Sequence, residues 1–256
     1  MRLKDKVAII TGAADPEGIG AAIAIRYTEE GAKIVIADVA DGRRVVEAIE
    51  KAGGKAAFVK TDVTRQDECD AMVKAAAARF GTIDILVNNA AIYADIVEKP
   101  FTEVTTEEWN RVMAVNTGGP FHCTKAVFPY MREKGGKIIN IASDIVLLAM
   151  PGLPHYVASK GAVVAFTRCM AKELGEFNIN VNALAPGYTK SGASKKVTEH
   201  SGVYSEEEID TMISQMRCLK RAEYPEDLVG TAAFLASKDS DFITGQLIVV
   251  NGGNTF

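Results

Sequence analysis

Tyr156 and Lys160 stand four residues apart at the start of an apolar helical run, Tyr156-Val157-Ala158-Ser159-Lys160. That spacing puts both on one face of a helix. A nearby ammonium stabilises a phenolate and lowers the phenol's pKa from about 10. A phenol tuned toward neutral pH can pass a proton to or from a carbinol oxygen. Two further polar residues fit the same chemistry. Ser143 ends the fifth of seven apolar runs, where its hydroxyl can hold a substrate oxygen beside Tyr156. Asn116, in Met113-Ala114-Val115-Asn116-Thr117, falls inside a long helical region. An amide there can bend the helix or hold a water that relays protons to Lys160. Taken singly each is ordinary: Tyr/Lys pairs at this spacing arise by chance, and Asn116 alone is a helix irregularity.

The elements around them decide whether they can meet. Strands are predicted at Val7–Thr11, Lys33–Asp38, Ala56–Lys60, Ile83–Asn88, Lys137–Ser143, Ile179–Ala185 and Gln246–Val250. Their continuous Val/Ile/Leu runs suit strands buried on both faces of a parallel sheet. Between them lie helix signals. Thr64-x-x-Asp67, Thr105-x-x-Glu108 and Ser205-x-x-Glu208 read as capping boxes. Pro225 opens a helix, and Gly31 and Gly81 close two. Repeated strand–helix alternation means βαβ units and an α/β, doubly wound (Rossmann) parallel sheet of about seven strands flanked by helices. With no composition break, residues 1–256 are read as one domain. Ligands bind such sheets at the carboxyl ends of the strands.

The first strand runs into Gly12-Ala13-Ala14-Asp15-Pro16-Glu17-Gly18-Ile19-Gly20 and then an Ala-rich helix. Glycines after a first strand let the backbone turn tightly and approach a pyrophosphate, which rests on the helix N-terminus. The second strand ends at Asp38, eighteen residues after Gly20. A carboxylate there accepts hydrogen bonds from a ribose diol and repels a 2′-phosphate, which favours NAD over NADP. Arg43 and Arg44 are placed on a solvated helix face.

Together these residues resemble the short-chain dehydrogenase/reductase family over essentially the whole chain. Thr11-Gly12 and Gly18-Ile19-Gly20 match its glycine motif, Asp62-Val63 its adenine-contacting pair, and Asn88-Asn89-Ala90 its stabilising motif after the fourth strand. Asn116, Ser143, Tyr156 and Lys160 match its catalytic tetrad, with the usual thirteen-residue step from Ser143 to Tyr156. Pro186-Gly187 followed by Thr189 matches its nicotinamide-side loop, and Ile243-Thr244-Gly245-Gln246 with Asn251-Gly252-Gly253 its C-terminal strand region. Three departures stand out. The glycine loop is two residues longer than usual, Ala91 replaces a glycine, and Asn251 replaces an aspartate without obvious chemical consequence. The resemblance implies hydride transfer between a secondary alcohol and a nicotinamide. In it Tyr156 is the acid/base, Ser143 orients the oxygen, and Lys160 binds cofactor ribose and lowers the Tyr156 pKa. Asn116 supports a relay water. It also implies a homo-oligomer, with a tetramer favoured.

Substrate recognition is expected near Tyr93, in the loop after Ser143 from Ile145 to Met150, and in a lid around 188–219 that contains Tyr188, Met212, Ile213 and Met216. An apolar pocket of this kind suits an aromatic or alicyclic secondary alcohol or its ketone. Lys190, Lys195, Lys196 and Arg217 flank the lid, and one of them turned inward would admit an acid. A 3-oxoacyl thioester (acyl-carrier-protein) reductase is the enzyme alternative. Asp38 argues against it, while Arg132, Lys134 and Lys172 offer a carrier-docking patch. A non-catalytic dinucleotide sensor is disfavoured by the intact tetrad. Composition narrows the rest. Of 256 residues 48% are hydrophobic and 24% charged, with net charge −4, which argues against nucleic-acid or anionic-membrane partners. The longest apolar stretch, Ile145 to Pro154, is too short to span a bilayer. Four cysteines (Cys69, Cys123, Cys169, Cys218) and three histidines show neither a C-x-x-C pair nor metal-ligand spacing, so no metal is expected. A cytoplasmic protein is the default.

Overall fold

Seven apolar runs form seven strands: β1 (Val7–Thr11), β2 (Lys33–Asp38), β3 (Lys55–Lys60), β4 (Ile85–Asn88), β5 (Gly136–Ile141), β6 (Ile179–Pro186) and β7 (Leu247–Val250). The computed structural model describes residues 1–201 and 205–256. The strands make one sheet in the order β3-β2-β1-β4-β5-β6-β7, and every pairing is parallel. The chain winds outward from β1 to β3, then returns to place β4 on the other side of β1. That reversal leaves a crevice at the carboxyl ends of β1 and β4.

The connecting helices are α1 (Ile19–Glu29), α2 (Arg43–Lys51), α3 (Gln66–Phe80), α4 (Thr106–Met113), α5 (Gly119–Met131), α6 (Ile145–Leu148), α7 (Pro154–Leu174), α8 (Gly192–Ser201), α9 (Glu206–Met216) and α10 (Pro225–Ala236). Alternation along the strands feeds both faces of the sheet. Ala8, Ile10, Ile34, Ile36 and Leu184 pack with Tyr27 of α1, Ile49 of α2 and Leu228 of α10. Val7, Ile9, Val35, Leu86 and Val181 pack on the opposite face with Met72 of α3, Val127 of α5 and Leu174 of α7. Each such wholly buried side chain contributes about 1.5–3 kcal/mol, which is why the site can carry costly buried polar groups.

Most helix signals act as the sequence indicates. Thr105 and Ser205 cap α4 and α9 through reciprocal bonds with Glu108 and Glu208. Gly81 adopts φ +85° at the end of α3, and Gly31 φ +93° just past α1. Thr64-x-x-Asp67 is no capping box. The Thr64 hydroxyl donates to Asp62 Oδ1 at 2.7 Å, Asp67 pairs with Arg65, and α3 begins one residue later. Strand ends also shift. β4 starts at Ile85 rather than Ile83, because Asp84 turns its carboxylate back to accept the Val7 N–H at 3.0 Å. β5 stops at Ile141, so Ser143 lies in the loop beyond it and not on the strand. Arg43 pairs with Asp41 at the exposed start of α2.

A buried polar chain crosses this apolar scaffold. Asn88 Nδ2 donates to Asn140 Oδ1 at 2.8 Å, and Asn140 Nδ2 donates to Thr167 Oγ1 at 2.9 Å. Thr167 in turn donates to the Val163 carbonyl at 2.8 Å. It fixes β4, β5 and α7 side by side, which sets the spacing of the loops they carry. Asn140→Leu strands the Asn88 amide without its acceptor. The expected loss is about 1–3 kcal/mol of stability, read as a lowered midpoint in urea unfolding.

Candidate active site

The residues singled out in the sequence gather at the carboxyl ends of the strands. Gly12 leaves β1 at φ +65°, and its N–H donates to the Ala37 carbonyl at 2.8 Å. A Cβ on Gly12 would lie 2.5 Å from the Ala90 Cα. Asn89 closes the same turn, its Nδ2 donating to the Thr11 and Gly12 carbonyls at 3.0 and 2.6 Å. The N–H groups of Asn89 and Ala90 both donate to Thr11 Oγ1 at 3.1 Å. Gly18 is the N-cap of α1, with Ile19 and Gly20 in the first turn, and no side chain caps that end. The first-turn N–H groups therefore point out of the helix end without an intrahelical acceptor, as an anion requires.

Asp38 ends β2 and braces the glycine loop. Its Oδ2 accepts the Ala14 N–H and its Oδ1 the Ala40 N–H, both at 2.9 Å. A carboxylate has about four acceptor positions, so capacity remains for a diol. Asp62 and Val63 follow β3, and the Val63 carbonyl faces His122 Nδ1 at 2.9 Å. In the lengthened loop, through Asp15-Pro16-Glu17, Glu17 pairs with Lys195 of α8 at 2.7 Å. An unsatisfied helix end, a turn closed to any Cβ and an acidic group past β2 fit a dinucleotide.

Asn116 lies in a π-helical turn, Ala114–Gly118, between α4 and α5. It is almost fully buried. Its Oδ1 accepts the Ile92 N–H at 2.7 Å, and its Nδ2 donates to the Ile92 carbonyl at 3.2 Å and to Ser159 Oγ at 3.1 Å. Wide turns of this kind open one residue toward a neighbour, here toward α7. Tyr156 and Lys160 sit on the first turns of α7, with Lys160 Nζ 5.8 Å from the Tyr156 ring centre. Nζ also donates to the Ile141 carbonyl at 2.8 Å. Burial pulls the Lys160 ammonium down to about 8. Burial pushes the Tyr156 phenol above its ordinary value, Asp144 pushes it further, and a hydrogen bond with Ser143 pulls it back. Burial sets the direction of the Tyr156 shift and Ser143 is the group that opposes it; the lowering expected from Lys160 is not among its causes.

Tyr93 stacks on Tyr156 with ring centres 5.2 Å apart. Burial raises its pKa, with Tyr156 and Tyr188 adding to the rise. Ile145 is buried with Tyr156, Ile96, Val112 and Leu153. Met212 on α9 is half exposed and is not part of that cluster. Pro186 ends β6, and Gly187, Tyr188 and Thr189 form the loop after it. The Pro186 carbonyl accepts the Asp144 N–H at 2.9 Å, so this loop lies directly beside Ser143.

The fold and the whole length of the chain have known relatives. A family model described as enoyl-(acyl carrier protein) reductase matches residues 12–255. Galactitol 2-dehydrogenase of Agrobacterium fabrum is 41% identical over 99% of each chain. The chain belongs to the short-chain dehydrogenase/reductase family. A 3-oxoacyl-[acyl-carrier-protein] reductase of Thermotoga maritima is 36% identical, again over 99% of each chain. A crystal structure from Sinorhizobium meliloti, provisionally described as a short-chain alcohol dehydrogenase, superposes with TM-score 0.89 at 31% identity, covering 98% of this chain and 97% of that one. As a short-chain dehydrogenase/reductase the chain is an oxidoreductase of small-molecule alcohols and ketones that binds a nicotinamide dinucleotide. Among the described residues no helix is long and apolar enough to cross a membrane.

Several residues here carry no local signal in the sequence. Asn251, read as chemically neutral, donates from Nδ2 to the buried Asp144 carboxylate at 3.1 Å. An aspartate at that position would face a second carboxylate, so the exchange has a definite consequence. His122 and Asn140 act through partners more than fifty or twenty-five residues away respectively. Cys69 and Cys123, remote in sequence, meet in the core with sulfurs 3.7 Å apart. The neighbouring thiol and burial raise the Cys123 pKa, which leaves it an inert packing group.

The buried ammonium gives the site a stability signature. Below about pH 8 native Lys160 carries its charge at a desolvation cost; between about 8 and 10.5 the native side chain sheds its proton while the unfolded one keeps it. The native state then binds fewer protons, so this contribution to stability rises with pH. Lys160→Met is expected to be more stable than the natural protein at pH 7, by up to about 3 kcal/mol. That advantage should shrink toward pH 10.5 when urea unfolding is compared across pH.

Proposed function

We propose that the protein transfers a hydride between NAD(H) and a neutral, apolar-bodied secondary alcohol or its ketone. The observation that carries this reading is the convergence of Ser143, Tyr156 and Lys160 with Asn116 at one end of the sheet. NAD(H), when bound, supplies the hydride acceptor or donor. Gly12, Gly18, Ile19 and Gly20 would hold its pyrophosphate, Asp38 one ribose, Asp62 and Val63 the adenine side. Asn89 and Ala90 shape the floor, Lys160 would meet the second ribose, and Pro186, Gly187 and Thr189 the nicotinamide.

The chain's own residues handle the proton. Ser143 holds the substrate oxygen, and Tyr156 takes the carbinol proton in oxidation or returns it in reduction. A charged Lys160 at the Tyr156 ring favours the phenolate. Asn116, committed to Ile92 and Ser159, fixes the turn that faces α7 and supports a relay toward Lys160.

Neutrality of the substrate is supported by where the basic side chains go. Lys190 pairs with Asp210 at 2.7 Å, Lys195 with Glu17 at 2.7 Å, and Arg217 donates to the Tyr188 carbonyl at 2.7 Å. An apolar body is supported by Ile145 against Tyr156 and by exposed Leu147, Leu148, Met150 and Met212. The described residues of 188–219 fit a substrate lid on a single-domain body; residues 202–204 of that expected lid lie outside the described residues. A polyhydroxylated substrate is the second reading, favoured by the closeness of the Tyr93, Tyr156 and Tyr188 phenols and by the relative named for galactitol. For an acyl-carrier substrate the proposed docking patch is weakened, since Lys134 is engaged with Asp84 at 2.9 Å. Exposed Phe121, Phe242 and Phe256 support a homo-oligomer, a tetramer in this reading, and the family membership a cytoplasmic one.

Turnover with NAD or NADH on a panel of 1-phenylethanol, cyclohexanol, a hexitol and a 3-oxoacyl thioester tests the substrate. The aryl or cyclic alcohol should give the highest kcat/KM; a hexitol or thioester ahead of both overturns the apolar body. Tyr156→Phe should lose about 10²–10⁴ in kcat on the best substrate while still binding NADH, and near-normal turnover would remove its assigned role. Cofactor choice is tested separately. The natural protein should favour NAD over NADP in kcat/KM, and Asp38→Ser with Val39→Arg should narrow the gap. Val39 is well exposed, so the added arginine has room. Equal efficiency of the unaltered protein with both dinucleotides would refute the role of Asp38.

A further inference from the structure

The loop after β6 is gripped from behind by a buried ion pair that the proton chemistry does not use. Arg217 is 2% exposed and Glu223 5%. Arg217 Nη2 lies 3.5 Å from Glu223 Oε2 and donates to the Tyr188 carbonyl at 2.7 Å. Glu223 Oε1 accepts the Gly187 N–H at 3.2 Å and the Thr189 hydroxyl at 2.7 Å. A Cβ on Gly187 would lie 2.9 Å from Glu223 Oε2 and 3.2 Å from Arg217 Nη2, so glycine lets the pair come against the backbone.

This arrangement fixes the polarity of Thr189. Its hydroxyl has one proton. The Gly187 carbonyl lies 3.2 Å away and the Glu223 carboxylate 2.7 Å. The shorter, charge-assisted bond takes the proton. The Thr189 oxygen then has only lone pairs to offer a ligand, so whatever meets it must donate. On a nicotinamide ring the one hydrogen-bond donor of this kind is the carboxamide NH2.

We propose that Glu223, backed by Arg217, is a positioning residue that makes Thr189 a hydrogen-bond acceptor for the carboxamide NH2 of the cofactor. The inference rests on the nicotinamide-dependent reading above. It assigns the ion pair a task in orienting the ring, since an acceptor at Thr189 selects one of the two carboxamide rotamers. Burial pushes Glu223 up to about 7, against the pull of Thr189, Arg217 and Gly187 and with a further push from Asp144. The carboxylate is therefore charged at pH 8.5, where the test is made.

The test is calorimetric binding of NADH and of its reduced 3-acetylpyridine analogue, whose methyl ketone accepts a hydrogen bond but cannot donate one. The natural protein should bind NADH about 5–10-fold more tightly, the worth of one hydrogen bond. In Glu223→Ala the Thr189 hydroxyl loses its charged acceptor and is free to turn its proton to the ligand, so the ratio should fall to about one. Arg217→Met with Glu223→Leu replaces the pair by apolar groups, a change cores often tolerate, and should also give a ratio near one. Thr189→Val should behave the same way. A natural protein without preference overturns the inference, and so does an undiminished ratio in any of these variants that keeps the natural far-UV circular dichroism. Binding of neither dinucleotide would defeat the nicotinamide reading itself, whereas tight NADH binding without discrimination would defeat only the role of Glu223.

Discussion

The close approach of Gly12 to Ala90 is the contact on which the site depends. It occurs where the winding of the sheet reverses, between β1 and β4, and it leaves no room for a side chain on Gly12. Asn89 and Thr11 convert that closeness into a fixed turn, because four hydrogen bonds join the two strand ends. With the turn fixed, α1 starts where its uncapped end faces the crevice. Asp38 then reaches back to Ala14 and ties the neighbouring strand end to the same loop. The other strand ends that open on the crevice are placed relative to this junction through strand register.

The proton-handling side of the site is built differently. Its residues sit on helices and loops rather than on strand ends, so they need bracing by polar groups inside the fold. Asn140 locks β5 to α7 through Thr167, and Asn116 locks the π-helical turn to α7 through Ser159. Both amides are buried, and an unpartnered amide there would cost about 1–3 kcal/mol. Their bonds are therefore strongly directional constraints on where Tyr156 and Lys160 can lie. The apolar faces of the sheet supply the stability that allows such groups inside.

Much of this was legible in the sequence because its causes are local. Continuous Val/Ile/Leu runs, glycines at strand ends and Ser or Thr three residues before Glu act through neighbours within a few positions. The strands and the capping at Thr105 and Ser205 follow from them. Where a long-range partner intervened, local reading slipped. Asp84 shortened β4 by bonding Val7. A local competitor did the same at α3, where Asp62, two residues back, captured Thr64 before it could cap the helix. Ser143 lies two residues past β5, although the Ala142 and Asp144 N–H groups still bond the Leu184 and Pro186 carbonyls of β6. The pairing of Cys69 with Cys123, and the bonds of His122 and Asn251, join segments more than fifty residues apart, and no periodicity encodes such a meeting.

Burial acts on the ionisable groups around the site in one direction. It raises the acids Tyr156, Asp144 and Glu223 and lowers the base Lys160, in each case favouring the neutral form. Opposing it are specific contacts: Ser143 at Tyr156, Asn251, Asn254 and Arg217 at Asp144, and Thr189, Arg217 and Gly187 at Glu223. Asn251 shows how finely these are set. A carboxylate in its place would meet Asp144 across 3.1 Å and leave one of the two protonated or the C-terminal segment displaced. As an amide it instead donates to Asp144 while its own oxygen accepts the Gly253 and Asn254 N–H groups. The residue beside Ser143 is thereby held by the C-terminal segment, and the last residue of β6, Pro186, whose carbonyl accepts the Asp144 N–H, is held with it. One residue, Asp144, thus joins the serine beside it, the end of β6 through its N–H and the end of the chain through its carboxylate, and the last of these bonds depends on a neutral partner.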